Sequence, residues 1–138
     1  MTVPTVESIY DGRDRLLAII VSHDHNPPET DFMTSPDLNM QVGFVKYPAG
    51  GYIQPHVHLP IERYIVGTGE VLTVRSGRME LLLYDNDRHL VRKQVLEAGD
   101  ILILVSGGHG FRMLEDTVIM EVKQGPYTGL QEKERFEE

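Results

Sequence analysis

The chain has no cysteine. That excludes disulfides, thiolate zinc sites and a cysteine nucleophile, and it fits a reducing compartment. No apolar run approaches the roughly 18 residues that a membrane helix needs. The opening residues, MTVPTVESIYDGRDR, bring acids early and no apolar core, so no signal peptide is expected and a soluble cytoplasmic protein is the default. Positive charge is also short: 13 Lys plus Arg stand against 21 Asp plus Glu, a net charge of -8. Such a balance argues against a duplex nucleic-acid binder, whose affinity rests on phosphate neutralisation, and against an anionic membrane surface. A local basic pocket for a small anion stays open. There is no P-loop, no GxGxxG fingerprint after a strand and no GxSxG elbow. Persuasive 3.6-residue periodicity is missing too. The best helical candidate is the acidic tail LQEKERFEE, and a short turn is expected near VESIYDGRDR.

What is present is a set of short segments rich in Val, Ile and Leu. They cover 16–21, 40–47, 70–76, 79–85, 90–96, 100–105 and 117–123. Each is of strand length, and Gly, Pro, Asn and Asp punctuate the gaps, as at Ala49-Gly50-Gly51, Ser76-Gly77 and Ala98-Gly99-Asp100. Seven or more such strands predict an all-β sandwich or barrel. The 138 residues amount to one domain, large enough to bury a core without a staple, which makes any bound metal a matter of function rather than of folding. The polar stretch 22–39 reads as a surface loop within it.

The chemistry concentrates in QPHVHLPIERYIVGTGEVLTVRSG, residues 54–77. On a strand His56 and His58 point the same way, so two imidazoles can meet one cation. His109 follows in SGGHGF. Imidazoles plus a carboxylate suit Fe, Mn, Ni, Zn or Cu, without choosing among them. An H-x-H pair alone is weak, and His23-Asp24-His25 in the polar loop is read as a decoy with solvated side chains. Tyr47, Tyr52, Tyr64, Phe44 and Phe111 read as packing residues, one or two of which could line a pocket. Arg75 and Arg78 read as outward and solvated, and Arg112 as facing away from His109 and Phe111.

This arrangement resembles the cupin superfamily, the small double-stranded β-helix or jelly-roll barrel. Its first motif, G-x5-H-x-H-x(3,4)-E-x6-G, is met by Gly50, His56, His58, Glu62 and Gly69. Its second, G-x5-P-x-G-x2-H-x3-N, is met in part: Gly99 and Gly107 match, Val105 stands for the proline, His109 comes one residue early, and Met113 lies near the asparagine position. The resemblance spans about 40–123 and implies a single cupin domain over 1–138, with a strand and loop in 1–39 and an acidic tail in 124–138. It further implies a divalent metal held by His56, His58, His109 and a glutamate.

Two glutamates compete. Motif spacing selects Glu62, and strand counting selects Glu70. The stretch EVLTVRS runs from Glu70 to a turn at Gly77, MELLLYD returns, and LVRKQVL leads into EAGD, which is the family's order. Glu70, Leu72 and Val74 would share the inward face. The expected ligand set is then His56, His58, Glu70 and His109, with 59–69 an insertion and Glu62 a candidate acid/base group. Three functions remain open from the sequence. One is a metal-dependent cupin oxygenase, isomerase or lyase for a small organic molecule. Another is a metal-independent isomerase or epimerase for a nucleotide-linked sugar, and the last is a non-enzymatic ligand-binding barrel. Exposed edge strands and the resemblance both predict a homodimer.

Overall fold

A computed structural model of the chain describes residues 3–138. In chain order the strands are β1 (Val6–Tyr10), β2 (Leu16–Val21), β3 (Asp31–Phe32), β4 (Gly43–Phe44), β5 (Glu70–Ser76), β6 (Arg78–Tyr84), β7 (Leu90–Glu97), β8 (Ile101–Leu104), β9 (Gly108–Met113) and β10 (Val118–Lys123). A 3-10 turn, Gly129–Glu132, follows, and the described residues contain no α-helix. The fold is all-β. No helix among the described residues is long and apolar enough to cross a membrane.

The strands form three sheets, and none of the three closes on itself: β1-β2-β8-β5-β10, β7-β6-β9, and the small pair β3-β4. The chain divides into two compact units. The first combines the described residues up to His25 with Thr68–Glu138, and the second is Asn26–Gly67.

The first unit holds the two larger sheets, paired antiparallel throughout. Alternation explains its core. Ile9, Ala18, Ile20, Leu72, Val74, Leu102 and Leu104 come from the five-stranded sheet, and Met79, Leu81, Leu83 and Leu96 from the three-stranded one. Cross-strand partners share a face. The pairs Ala18↔Leu104, Ile20↔Leu102 and Leu72↔Leu102 therefore put one apolar face of the larger sheet against the smaller sheet. β5 stops at Ser76 because Gly77 takes φ +90°, and a Cβ there would lie 2.3 Å from the Asp116 carbonyl oxygen.

Polar ties accompany this core. Arg92 on β7 donates twice to the Glu7 carboxylate on β1, at 3.0 and 3.2 Å. The buried Asp100 carboxylate accepts from the backbone N–H of His23 at 2.7 Å and of Glu97 at 2.8 Å, fixing the end of β2 to the β7–β8 turn.

In the second unit Thr34 is buried and carries the local bonding. Its hydroxyl accepts from Val42 N–H at 3.1 Å and donates to the Gln41 side-chain oxygen at 3.2 Å. Residues 45–67 there form no strand.

Several elements differ from the sequence expectation. Within VESIYDGRDR, Val6–Tyr10 is a strand paired along β2, and the expected turn follows it at Gly12 and Arg13. β9 was not anticipated. Of 40–47 only Gly43–Phe44 is paired. The tail forms no α-helix, because its side chains are engaged elsewhere: the Phe136 ring meets the Tyr84 ring edge-on, with centroids 5.0 Å apart.

Candidate functional site

Glu70 is the first residue of β5, and its register partner on β8 is Leu104, a core residue. Glu70 therefore faces inward, in line with Leu72 and Val74. His109 on β9 pairs with Leu83, also a core residue, and it too faces inward, in line with Phe111. The two sheets thus bring Glu70 and His109 together: Nε2 of His109 lies 3.4 Å from Oε2 of Glu70. The Glu70 side chain is 15% exposed and that of His109 31%. The imidazole bonding to it, helped by Glu121 and the nearby Lys123 ammonium, holds the Glu70 carboxyl below its ordinary range against the upward push of burial. The His109 ring also leans on Phe111, with centroids 5.6 Å apart.

β10 adds two charged residues that the sequence reading did not single out. Lys123 pairs with Glu70 and Glu121 with Leu72, so both lie on the inward face. Nζ of Lys123 is 3.4 Å from Oε1 of Glu132, whose other oxygen accepts from the Thr128 hydroxyl at 2.7 Å. Hydrogen bonding to Glu132 raises the Lys123 pKa. The signal in the sequence pointed the other way. Val118, Met120 and Val122 form the apolar row of this strand, yet they face out and are more than half exposed, while Ile119 packs on the core.

The second unit carries the H-x-H pair and Glu62. Residues 51–67 are exposed. The His56 and His58 rings lie together, centroids 5.2 Å apart at 70°. Nδ1 of His56 is 2.9 Å from the Gln54 carbonyl oxygen. A carbonyl only accepts, so Nδ1 is the donor in this bond. Glu62 is exposed and outside any strand. Tyr47, Tyr52 and Tyr64 are exposed rather than packed. Arg75 and Arg78 are exposed as expected, and Arg112 pairs with Glu80 and Glu138 on the face away from His109.

His23 and His25, expected to be solvated, are both engaged. His23 Nδ1 lies 2.9 Å from Asp100 Oδ1, and His25 Nδ1 lies 2.7 Å from the Thr5 hydroxyl.

Among the described residues, Asp85, Asp87 and His89 bring three donor atoms within 4.8 Å of one another. They sit in the β6–β7 turn, where Asp85 Oδ1 accepts from the backbone N–H of Asp87 and His89 at 2.9 Å each. That bonding accounts for the cluster as turn chemistry.

A scan against protein-family models finds no match, and searches of curated proteins and of solved structures find no similar chain.

Proposed function

We propose that the chain is a small cupin-like metal-binding protein, acting on a small organic molecule through a divalent metal (Fe, Mn, Ni, Zn or Cu) for which Glu70 and His109 are ligands in the first unit. On this reading the two larger sheets are the layers of a jelly roll, and the insertion 59–69 carries Glu62. The observation that carries the reading is the approach of Glu70 and His109 to 3.4 Å between two sheets. An ionised carboxylate and an imidazole, both partly withdrawn from water beside an apolar core, are donors that suit such a cation.

Bound there, the metal would act as a Lewis acid toward a coordinated oxygen. The residues have separate tasks. With metal bound, Glu70 would supply negative charge and His109 an imidazole nitrogen; without metal, the two meet directly. Phe111, half-buried against the core, keeps one side of His109 apolar. Glu62, exposed, would exchange protons with substrate.

The deciding experiment is metal analysis of wild type beside Glu70→Ala and Glu62→Ala. Loss of metal in Glu70→Ala alone is the expected result. Loss in Glu62→Ala alone transfers the ligand role to Glu62, and a metal-free, active wild type removes the metal reading. The Glu70–His109 contact also favours a second reading, in which the pair is a metal-independent acid/base dyad of an isomerase or epimerase. That reading predicts activity undiminished by chelator. We further propose a homodimer, which light scattering would report as twice the chain mass.

A further inference from the structure

His109 sits in an unusual strand. β9 reads Gly-His-Gly-Phe-Arg-Met and lies at the edge of its sheet, paired on one side only. Its outward residues are Gly108, Gly110 and Arg112, beside Tyr84, Leu82 and Glu80 of β6. The two glycines leave that face without side chains at 108 and 110, which weakens the strand on either side of His109.

The C-terminal residues supply the missing cover. Phe136 stands edge-on against Tyr84, with centroids 5.0 Å apart at 85°. The ring occupies the space a side chain at position 108 would take: a Cβ on Gly108 would lie 3.0 Å from Phe136 Cζ. The Arg88 guanidinium lies 5.1 Å from the ring centroid, and the same guanidinium binds Glu134 at 2.6 Å. Two residues beyond Phe136 in the chain, Glu138 pairs with Arg112, which belongs to β9 itself. An apolar ring is thus seated between two ion pairs, one on the β6–β7 turn and one on the strand that carries His109. Exposed ion pairs contribute little singly. Flanking a seated ring with a cation over its face, they fix a register.

We infer that residues 134–138 are a strap that holds β9 on β6, and that Phe136 is a positioning residue for His109. The consequence for metal rests on the ligand role proposed for His109, whereas the strap itself does not.

The test uses the full chain with Phe136→Ala and Phe136→Leu. Three quantities are read: amide exchange along β9, the ring-to-ring nuclear Overhauser effect between His109 and Phe111, and Co2+ affinity. In Phe136→Ala, exchange at Gly108–Gly110 rises about tenfold relative to amides of β2 and β8, as expected for local rather than global opening. The His109–Phe111 effect disappears and Co2+ binds about tenfold more weakly. Phe136→Leu, which keeps an apolar body over Gly108, recovers most of each. Unchanged β9 exchange, or a rise matched by β2 and β8, overturns the strap. A loosened β9 with the His109–Phe111 effect and Co2+ affinity intact overturns the positioning role. If wild type takes up no Co2+ while the exchange and ring effects behave as expected, the strap stands and the metal reading falls.

Discussion

Glu70 and His109 lie 3.4 Å apart although they belong to different sheets, one on β5 and the other on β9. A second polar pair joins the same two sheets, Glu7 on β1 to Arg92 on β7. Both β1 and β7 are edge strands. The two larger sheets of the first unit are therefore linked by polar pairs at two places, one of them between edge strands.

The Glu70–His109 tie makes a pH prediction for the metal-free chain. Bonding to His109 lowers the Glu70 pKa in the folded state from its ordinary 4.5. A depressed carboxylate stabilises fully above its unfolded value, and the contribution is lost as the pH falls through the folded one. Urea midpoints in chelator should show Glu70→Gln about 1–2 kcal/mol less stable than wild type near neutral pH, the scale of a hydrogen bond to a charged group. The gap should narrow as the buffer is taken well below pH 4.5. A gap constant with pH would mean that the carboxylate's charge plays no part.

The Glu7–Arg92 pair is bidentate but 39% and 34% exposed at its two side chains. Solvent screening limits such a pair to about 0.5–1 kcal/mol. A double-mutant cycle with Glu7→Gln and Arg92→Gln should return a coupling of that size at low salt. It should fall by about half or more in 1 M salt, where the Debye length is about 3 Å. A coupling that ignores salt would point to packing of the arginine stem instead.

Gly77 offers a sharper backbone test. Its φ of +90° disfavours any side chain, and a Cβ would lie 2.3 Å from a backbone oxygen that is not free to swing away. Gly77→Ala should cost about 2 kcal/mol or more, since strain and overpacking add. Thermal unfolding of the variant checks this. A near-neutral result would mean that the β5–β6 turn repacks, and with it the strand that Glu70 begins.

The strands that could be read from the sequence are those whose side chains alone specify them. LLAIIV, EVLTVRS and DILILV carry enough β-branched and aliphatic residues to be strands in any setting, and β2, β5 and β8 lie within them. β9 carries no such signal. Glycine, histidine and arginine become a strand there because β6 offers a ladder and Phe136 covers the gap. The tail was misread for the converse reason. LQEKERFEE has helical composition, but Arg88 in the β6–β7 turn and Arg112 on β9 engage its acids. Strand counting pointed to Glu70 and the resemblance to His109, but that the two side chains meet depends on the pairing of β9 with β6. Glu121 and Lys123 did not emerge, since polar residues alternating with Val118, Met120 and Val122 read as the wet face. Only the pairing of β10 with β5 reverses that reading.

The remaining prediction concerns His23. Its imidazole bonds to Asp100, and that bond, with Asp24, Asp100 and Glu97 adding negative charge, raises its pKa above the ordinary 6.5. The groups facing it are thus carboxylates from its own loop and from the β7–β8 turn. A group with a raised folded pKa contributes stability that is complete below the unfolded value and is lost as the pH rises through the folded one. Wild type should therefore exceed His23→Gln in stability most clearly at pH values under 6.5, and the margin should shrink as the solution becomes alkaline. Asp100→Asn should abolish most of that pH dependence. It should also lower stability at every pH, because the same carboxylate accepts the backbone N–H groups of His23 and Glu97. Chemical denaturation of the three proteins across pH 5–9 separates the two effects. A margin that grew with rising pH would show that the imidazole is held neutral, and would reverse the assignment of charge to this pair.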